Sequence, residues 1–251
     1  MGHGLLQGKS VAITAAAGAG IGYAAARRCA EEGARVAISD IHEKRLAKAA
    51  DALTEVMGQR PLTRVCNVTN ESEVQGFVDA VVAEHGHIDV FINNAGLGGT
   101  ATLVEMEDEA WDRVIDVTLT GAMRCMRAVL RHMQPRGAGV IVNNASVLGW
   151  RAQEGQAHYA AAKAGVMALT RCGAIEAARH GVRINAVAPS LAMHPFLEKV
   201  TSPELLEQLK AGEAFGRAAF PEEVANVMVF LASDLSSYMT GEVVSVSSQR
   251  A

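Results

Sequence analysis

Cysteine is scarce in this chain of 251 residues: Cys29, Cys66, Cys125 and Cys172 stand far apart, and no two form a C-x-x-C pair. The spacing excludes a dithiol redox motif and a zinc ribbon, and it predicts reduced, mostly buried thiols. No other zinc-ligand pattern is present, so metal-dependent alcohol chemistry is not expected and no metal site is assigned. Long apolar runs are missing too. None approaches the ~20 residues that cross a bilayer, and the opening MGHGLLQGKS lacks the apolar core of a signal segment. These absences predict a cytoplasmic protein with no membrane partner. A surplus of one charge sign is also lacking. The 23 basic and 27 acidic residues give a net −4 and are mixed along the chain, leaving no patch suited to nucleic acid. Internal repeats, low-complexity tracts and linkers are absent as well.

What remains is a regular alternation. Hydrophobic residues make up 49% of the chain and charged residues 20%, enough for a large core. Apolar, β-branched runs predict strands at 9–14, 34–40, 61–66, 88–93, 138–144, 182–188 and 243–246. Helical patterns fill 20–32, 43–57, 71–85, 107–134, 157–180, 196–211 and 221–233. Strand and helix in alternation read as an α/β fold. The prediction is a single domain over 1–251, a Rossmann-type doubly wound parallel sheet of about seven strands with helices on both faces.

The richest stretch runs from Val140 to Gly173. A β-branched strand leads to Ser146, and a helix of strong helix formers begins at Ala157. Tyr159 and Lys163 lie four residues apart, on one face of that helix. A phenol of pKa ~10 is a poor acid or base at neutral pH. An ammonium one turn away favours the phenolate and lowers that value. A serine hydroxyl fixed at the strand end then holds a substrate oxygen while the tyrosine moves the proton. Such a pair also arises by chance on amphipathic helices, so the rest of the chain has to decide.

The first strand runs from Lys9 to Thr14 into Ala15-Ala16-Ala17-Gly18-Ala19-Gly20-Ile21-Gly22, and a helix follows. Small residues at such a turn let the backbone approach a pyrophosphate, which the helix N-terminus attracts. The plainer reading is a tight strand–helix connection. Ala17, Gly18, Gly20 and Ile21 are the candidate phosphate contacts. Asp40 closes the second strand, eighteen residues after Gly22. A carboxylate there accepts hydrogen bonds from ribose hydroxyls and repels a 2′-phosphate, which favours NAD over NADP as cofactor. An N-cap role for the next helix is compatible with this.

Ser146, Tyr159 thirteen residues later and Lys163 four after that, with Asn93-Asn94-Ala95-Gly96 and the glycine-rich turn in order, resemble the short-chain dehydrogenase/reductase family over essentially the whole chain. The resemblance implies hydride transfer between an alcohol or ketone and nicotinamide, with Ser146, Tyr159 and Lys163 catalytic and Lys163 also bonding the nicotinamide ribose. It further implies cofactor contacts at Asn67 and Val68 (adenine), at Asn94, Ala95 and Gly96 (cleft lining), at Ala192, and at Tyr159 and Lys163 themselves. A substrate lid near 193–215 and a homodimer or homotetramer are also implied.

Several positions depart from the family's pattern. Thr14 sits one residue too far upstream, and Ala15 or Ala16 replaces the first glycine of the turn. Thr118 stands where most relatives carry an asparagine that bends its helix and holds a relay water. A threonine hydroxyl can bond a carbonyl one turn back and also hold a water, so Thr118 joins the catalytic candidates. Ser190 and His194 replace a glycine and a threonine beside the nicotinamide. Substrate choice in the family lies in the loop after Ser146 and in the lid, here Leu148, Gly149, Trp150, Arg151 and Met193. Trp150 offers a large apolar wall, and Arg151 suits a carboxylate or phosphate. The stretches NNASVLGWRAQ and HYAAAKAGVMALTRC, with these departures, resemble the branch of the family that oxidises a ring hydroxyl on a hexahydroindanone propanoyl-coenzyme A intermediate in actinobacterial cholesterol degradation. That implies a CoA thioester substrate. Two alternatives stay open: a 3-oxoacyl-thioester reductase, and a nicotinamide-binding regulatory protein with little catalysis.

Overall fold

The computed structural model describes residues 2–193 and 203–249. Its sheet has strands β1 (Ser10–Ile13), β2 (Arg35–Asp40), β3 (Leu62–Val65), β4 (Val90–Asn93), β5 (Gly139–Asn144), β6 (Val182–Pro189) and β7 (Val243–Val246). All pair in parallel, in the order β3-β2-β1-β4-β5-β6-β7, with β3 and β7 at the edges. The helices are α1 (Ile21–Glu31), α2 (Glu43–Met57), α3 (Glu71–His85), α4 (Asp108–Ile115), α5 (Gly121–Arg136), α6 (Ala157–Ala178), α7 (Pro203–Ala211) and α8 (Pro221–Ala232). Strands and helices fall within a few residues of the sequence expectation. The first part of the helix expected at 196–211 lies outside the described residues, as does His194.

Each central strand is apolar on both faces because helices cover both. Val11, Ile13, Val90 and Ile92 pack against α1, α2 and α8, with Leu46, Leu53, Val224 and Met228 filling the layer. Ala12, Phe91, Ile141 and Ile184 point the other way, onto Phe77, Val78, Met126, Val129, Met133 and Ala174 of α3, α5 and α6. The strand order reverses between β1 and β4. In a sheet of this kind the crevice at the C-terminal ends of the strands beside that reversal is where a ligand binds.

One expected element is modified. The predicted helix 107–134 is interrupted by a π-helical turn at Asp116–Thr120, where the amide of Gly121 donates to the carbonyl of Asp116. A one-residue bulge of this kind leaves a helix displaced by one position, and such bulges concentrate at functional sites. It carries Thr118 into the buried interior.

Candidate active site

Three chain segments meet at the reversal point. The first is the turn after β1. Thr14, a residue off the expected register, turns out to be a stitch: its Oγ1 accepts from the amides of Asn94 (3.0 Å) and Ala95 (3.2 Å). The shift is absorbed next door, because Ala15 has φ +50° while Ala16 is fully buried. Ala15 therefore holds the left-handed position that a glycine would occupy, at a conformational cost that L-residues rarely accept. A Cβ on Gly22 would lie 2.4 Å from both the Ala15 carbonyl oxygen and Asn94 Nδ2, so only glycine fits there. Gly18 (φ +108°) and Gly20 face open space, with no atom within 4 Å of a Cβ. Helix α1 starts without a side-chain cap or an acidic residue in its first turn. An open glycine face and uncapped amides fit a pyrophosphate.

Asp40 ends β2 only 7% exposed. Its Oδ2 accepts from the amide of Ala17 (3.2 Å) and its Oδ1 from that of His42 (2.9 Å). Burial raises its pKa above the ordinary carboxylate value, against the pull of the Ala17 amide and the Arg45 charge. Asp40 does not cap α2, whose N-cap is His42. The Ala17 amide is turned to Asp40, which ties the glycine-rich turn to the end of β2. Asn67 Oδ1 accepts from the Thr69 amide (3.1 Å) and hydroxyl (2.9 Å), closing a local turn beside the expected adenine position. The Val68 side chain is buried and packs beneath Gly121.

The second segment is the end of β4. Asn94 Nδ2 donates to the Ala15 carbonyl (3.0 Å), and its Oδ1 accepts from Asn144 Nδ2 (2.9 Å). Gly96 lies beneath Lys163, and a Cβ there would stand 3.3 Å from Nζ. Thr118 does not back-bond along its own helix. Its Oγ1 accepts from the Leu97 amide (2.9 Å) and donates to the Leu97 carbonyl (3.0 Å), so the π-turn is pinned to the β4 loop.

The third segment brings Ser146, Tyr159 and Lys163 together, as the sequence predicted. Ser146 is buried, and its Oγ accepts from the Leu148 amide (3.2 Å) and shares a hydrogen bond with Tyr159. Lys163 is 3% exposed; its Nζ donates to the Asn144 carbonyl (2.6 Å) and stands 5.5 Å from the Tyr159 ring centroid. Burial pushes the Tyr159 phenol up to about 12, against the hydrogen bond from Ser146. Burial pushes the Lys163 ammonium down to about 8, and among the described residues no carboxylate pairs with it. The expected lowering of the tyrosine by its lysine does not govern here: burial dominates, and the effect opposing it is the hydrogen bond from Ser146.

The substrate-side residues are less convergent. Leu148 is half-buried, and Trp150 is 51% exposed. Arg151 Nη1 donates to Gln249 Oε1, and Glu213 holds Ser248 through its amide (3.2 Å) and hydroxyl (2.9 Å). Ser248 and Gln249 are therefore held against Glu213 and Arg151, which no sequence signal indicated. Ala192 and Met193 run beside Ala219, whose amide donates to Leu191 (2.8 Å) and whose carbonyl accepts from Met193 (3.0 Å).

A family model described as enoyl-(acyl carrier protein) reductase matches residues 15–248. The chain is 61% identical, over 99% of its length and 95% of the relative's, to "(5R,7aS)-5-hydroxy-7a-methyl-1-oxo-2,3,5,6,7,7a-hexahydro-1H-indene-carboxyl-CoA reductase" of Mycobacterium tuberculosis. It is 41% identical, over 94% of both chains, to cis-4-hydroxycyclohexanecarboxylate dehydrogenase of Sinomonas cyclohexanicum. A crystal structure of a short-chain dehydrogenase from Mycobacterium smegmatis superposes with a TM-score of 0.88 at 57% identity, covering 100% of this chain and 96% of that one.

Proposed function

Because the chain belongs to the short-chain dehydrogenase/reductase family of oxidoreductases, which use a nicotinamide cofactor, we propose that it is NAD-dependent and acts by a Ser-Tyr-Lys mechanism on a ring hydroxyl or ring ketone of a hexahydroindanone coenzyme A thioester. The observation that carries the reaction type is the convergence of Ser146, Tyr159 and Lys163 at the crevice beside the glycine turn. The bound nicotinamide supplies the acceptor or donor of hydride. Ser146 fixes the substrate oxygen, and the Tyr159 oxygen exchanges the proton with it. Among the described residues Lys163 is a buried cation without a counter-ion, so loss of the Tyr159 proton creates the anion that it lacks. Attraction between the phenolate and the ammonium favours the charged form of each.

NAD is favoured by Asp40, whose carboxylate sits at the end of β2 against the glycine turn and disfavours a 2′-phosphate. Its oxygens still have lone pairs for ribose hydroxyls after serving two amides. The ring substrate is supported by the activities of the two relatives and by the apolar side chains of Leu148, Trp150 and Met193 expected on the substrate side. The segment 193–215 serves as the lid, and the protein works in the cytoplasm as a homodimer or homotetramer. The test is cofactor reduction with NAD and NADP against ring-hydroxylated coenzyme A esters, simple 3-hydroxyacyl thioesters and plain secondary alcohols. NAD-linked turnover of the ring esters alone agrees with the reading. NADP-linked turnover of the simple thioesters replaces it with a 3-oxoacyl-thioester reductase, and NAD binding without turnover of any of them replaces it with a regulatory binding protein.

A further inference from the structure

Asn144 is used at both ends. Its backbone carbonyl accepts from Lys163 Nζ (2.6 Å), and its side-chain Nδ2 donates to Asn94 Oδ1 (2.9 Å). Asn94 passes the constraint on, because its Nδ2 donates to the carbonyl of Ala15 (3.0 Å). The two amides are not free to flip. The Ala15 carbonyl requires a donor, so Asn94 presents its oxygen to Asn144, which must answer with nitrogen. This leaves Asn144 Oδ1 buried without a partner among the described residues. The far end of the relay is Ala15 at φ +50°, with Gly22 packed against its carbonyl. An unsatisfied acceptor and a left-handed alanine each cost free energy, and both lie in one chain of contacts. Nothing in the packing of β5 itself calls for an amide at 144.

We infer that Asn144 is a positioning residue that holds the Ala15 turn in its cofactor-binding shape while its backbone seats the catalytic lysine. The inference rests on the turn being the dinucleotide site. Without the Nδ2 donor, Asn94 Oδ1 loses its partner and the Asn94 amide rotates away from Ala15. The turn then relaxes out of the left-handed region, and cofactor binding has to restore it.

The relay makes a specific demand on a second site. Glycine adopts a positive φ without strain, so with Ala15→Gly the turn keeps its shape without help from Asn144. The measurement is a fluorescence titration of NADH with Asn144→Leu, Asn144→Ala, Ala15→Gly and the double variants, alongside kcat, KM and melting temperature. Asn144→Leu or Asn144→Ala is expected to weaken NADH binding about tenfold, with the rise in cofactor KM exceeding the fall in kcat, since the backbone contact to Lys163 remains. Adding Ala15→Gly is expected to return the affinity to within about threefold of Ala15→Gly alone, a non-additive cycle that only coupled sites give. Asn144→Ala, which leaves room for water, covers the case in which the leucine variant does not fold. Wild-type NADH affinity in the Asn144 variants overturns the inference, as does an equal loss of kcat, affinity and melting temperature that Ala15→Gly does not relieve. Wild-type protein that binds no dinucleotide overturns the cofactor reading and the inference together.

Discussion

Burial moves the two titratable groups of the site in opposite directions, and that has a consequence in the absence of any substrate. Lys163 has a folded pKa of about 8, below the ordinary lysine value of 10.5. Between those values the unfolded chain holds a proton that the folded chain has released, so the lysine's contribution to stability rises with pH across that window. Below about pH 8 the buried ammonium is charged in both states and its desolvation cost is borne in full. Lys163→Met removes the effect. Its stability relative to wild type is expected to be most favourable at pH 7 and to decline toward pH 10.5, over a range on the order of 3 kcal/mol, read by chemical denaturation at several pH values. Gly22→Ala makes a second residue-scale case. The new Cβ meets the Ala15 carbonyl and Asn94 Nδ2 at 2.4 Å, so a loss of about 1–3 kcal/mol is expected, with dinucleotide affinity falling beside it.

At the scale of the element, Thr118 pins the π-turn at Asp116–Thr120 to the loop after β4. Thr118→Val keeps the shape but leaves the Leu97 amide and carbonyl without their partner, which is expected to cost about 1–3 kcal/mol. For a chain of this size that is a drop of ~2–4 °C in melting temperature per kcal/mol, and an unchanged melting temperature would show that the pin is not needed. The helices and strands themselves were legible in the sequence because 3.6- and 2-residue periodicities are local properties. The π-turn was not, since it depends on a loop twenty-one residues away that supplies both partners of Thr118. The local turn at Asn67 was hidden for a similar reason: an amide side chain beside Thr69 can close its own turn or face a ligand, and the residues alone do not choose. The tail's grip on Arg151 and Glu213 links positions far apart in the chain, with no motif to announce it.

At the scale of the whole molecule, sheet order determines function. The reversal between β1 and β4 brings the glycine turn, the Asn93-Asn94 segment and the Ser146 loop to one crevice, and Asp40 to its rim. The sheet and the Ser146, Tyr159 and Lys163 cluster were legible because each spacing is tied to one strand–helix unit. Cofactor choice is expected to follow Asp40: Asp40→Ser should move the NAD to NADP ratio of kcat/KM toward NADP by about tenfold or more, the equivalent of at least ~1.4 kcal/mol. The substitution also removes the acceptor for the Ala17 amide, so some loss with both cofactors accompanies it. Proton transfer to and from substrate is assigned to Tyr159 under the proposed mechanism, and it is read by turnover of Tyr159→Phe with NADH affinity measured in the same preparation. A fall in kcat of about 10²–10⁴-fold is expected, with dinucleotide affinity close to wild type. Turnover within a few-fold of wild type would contradict it.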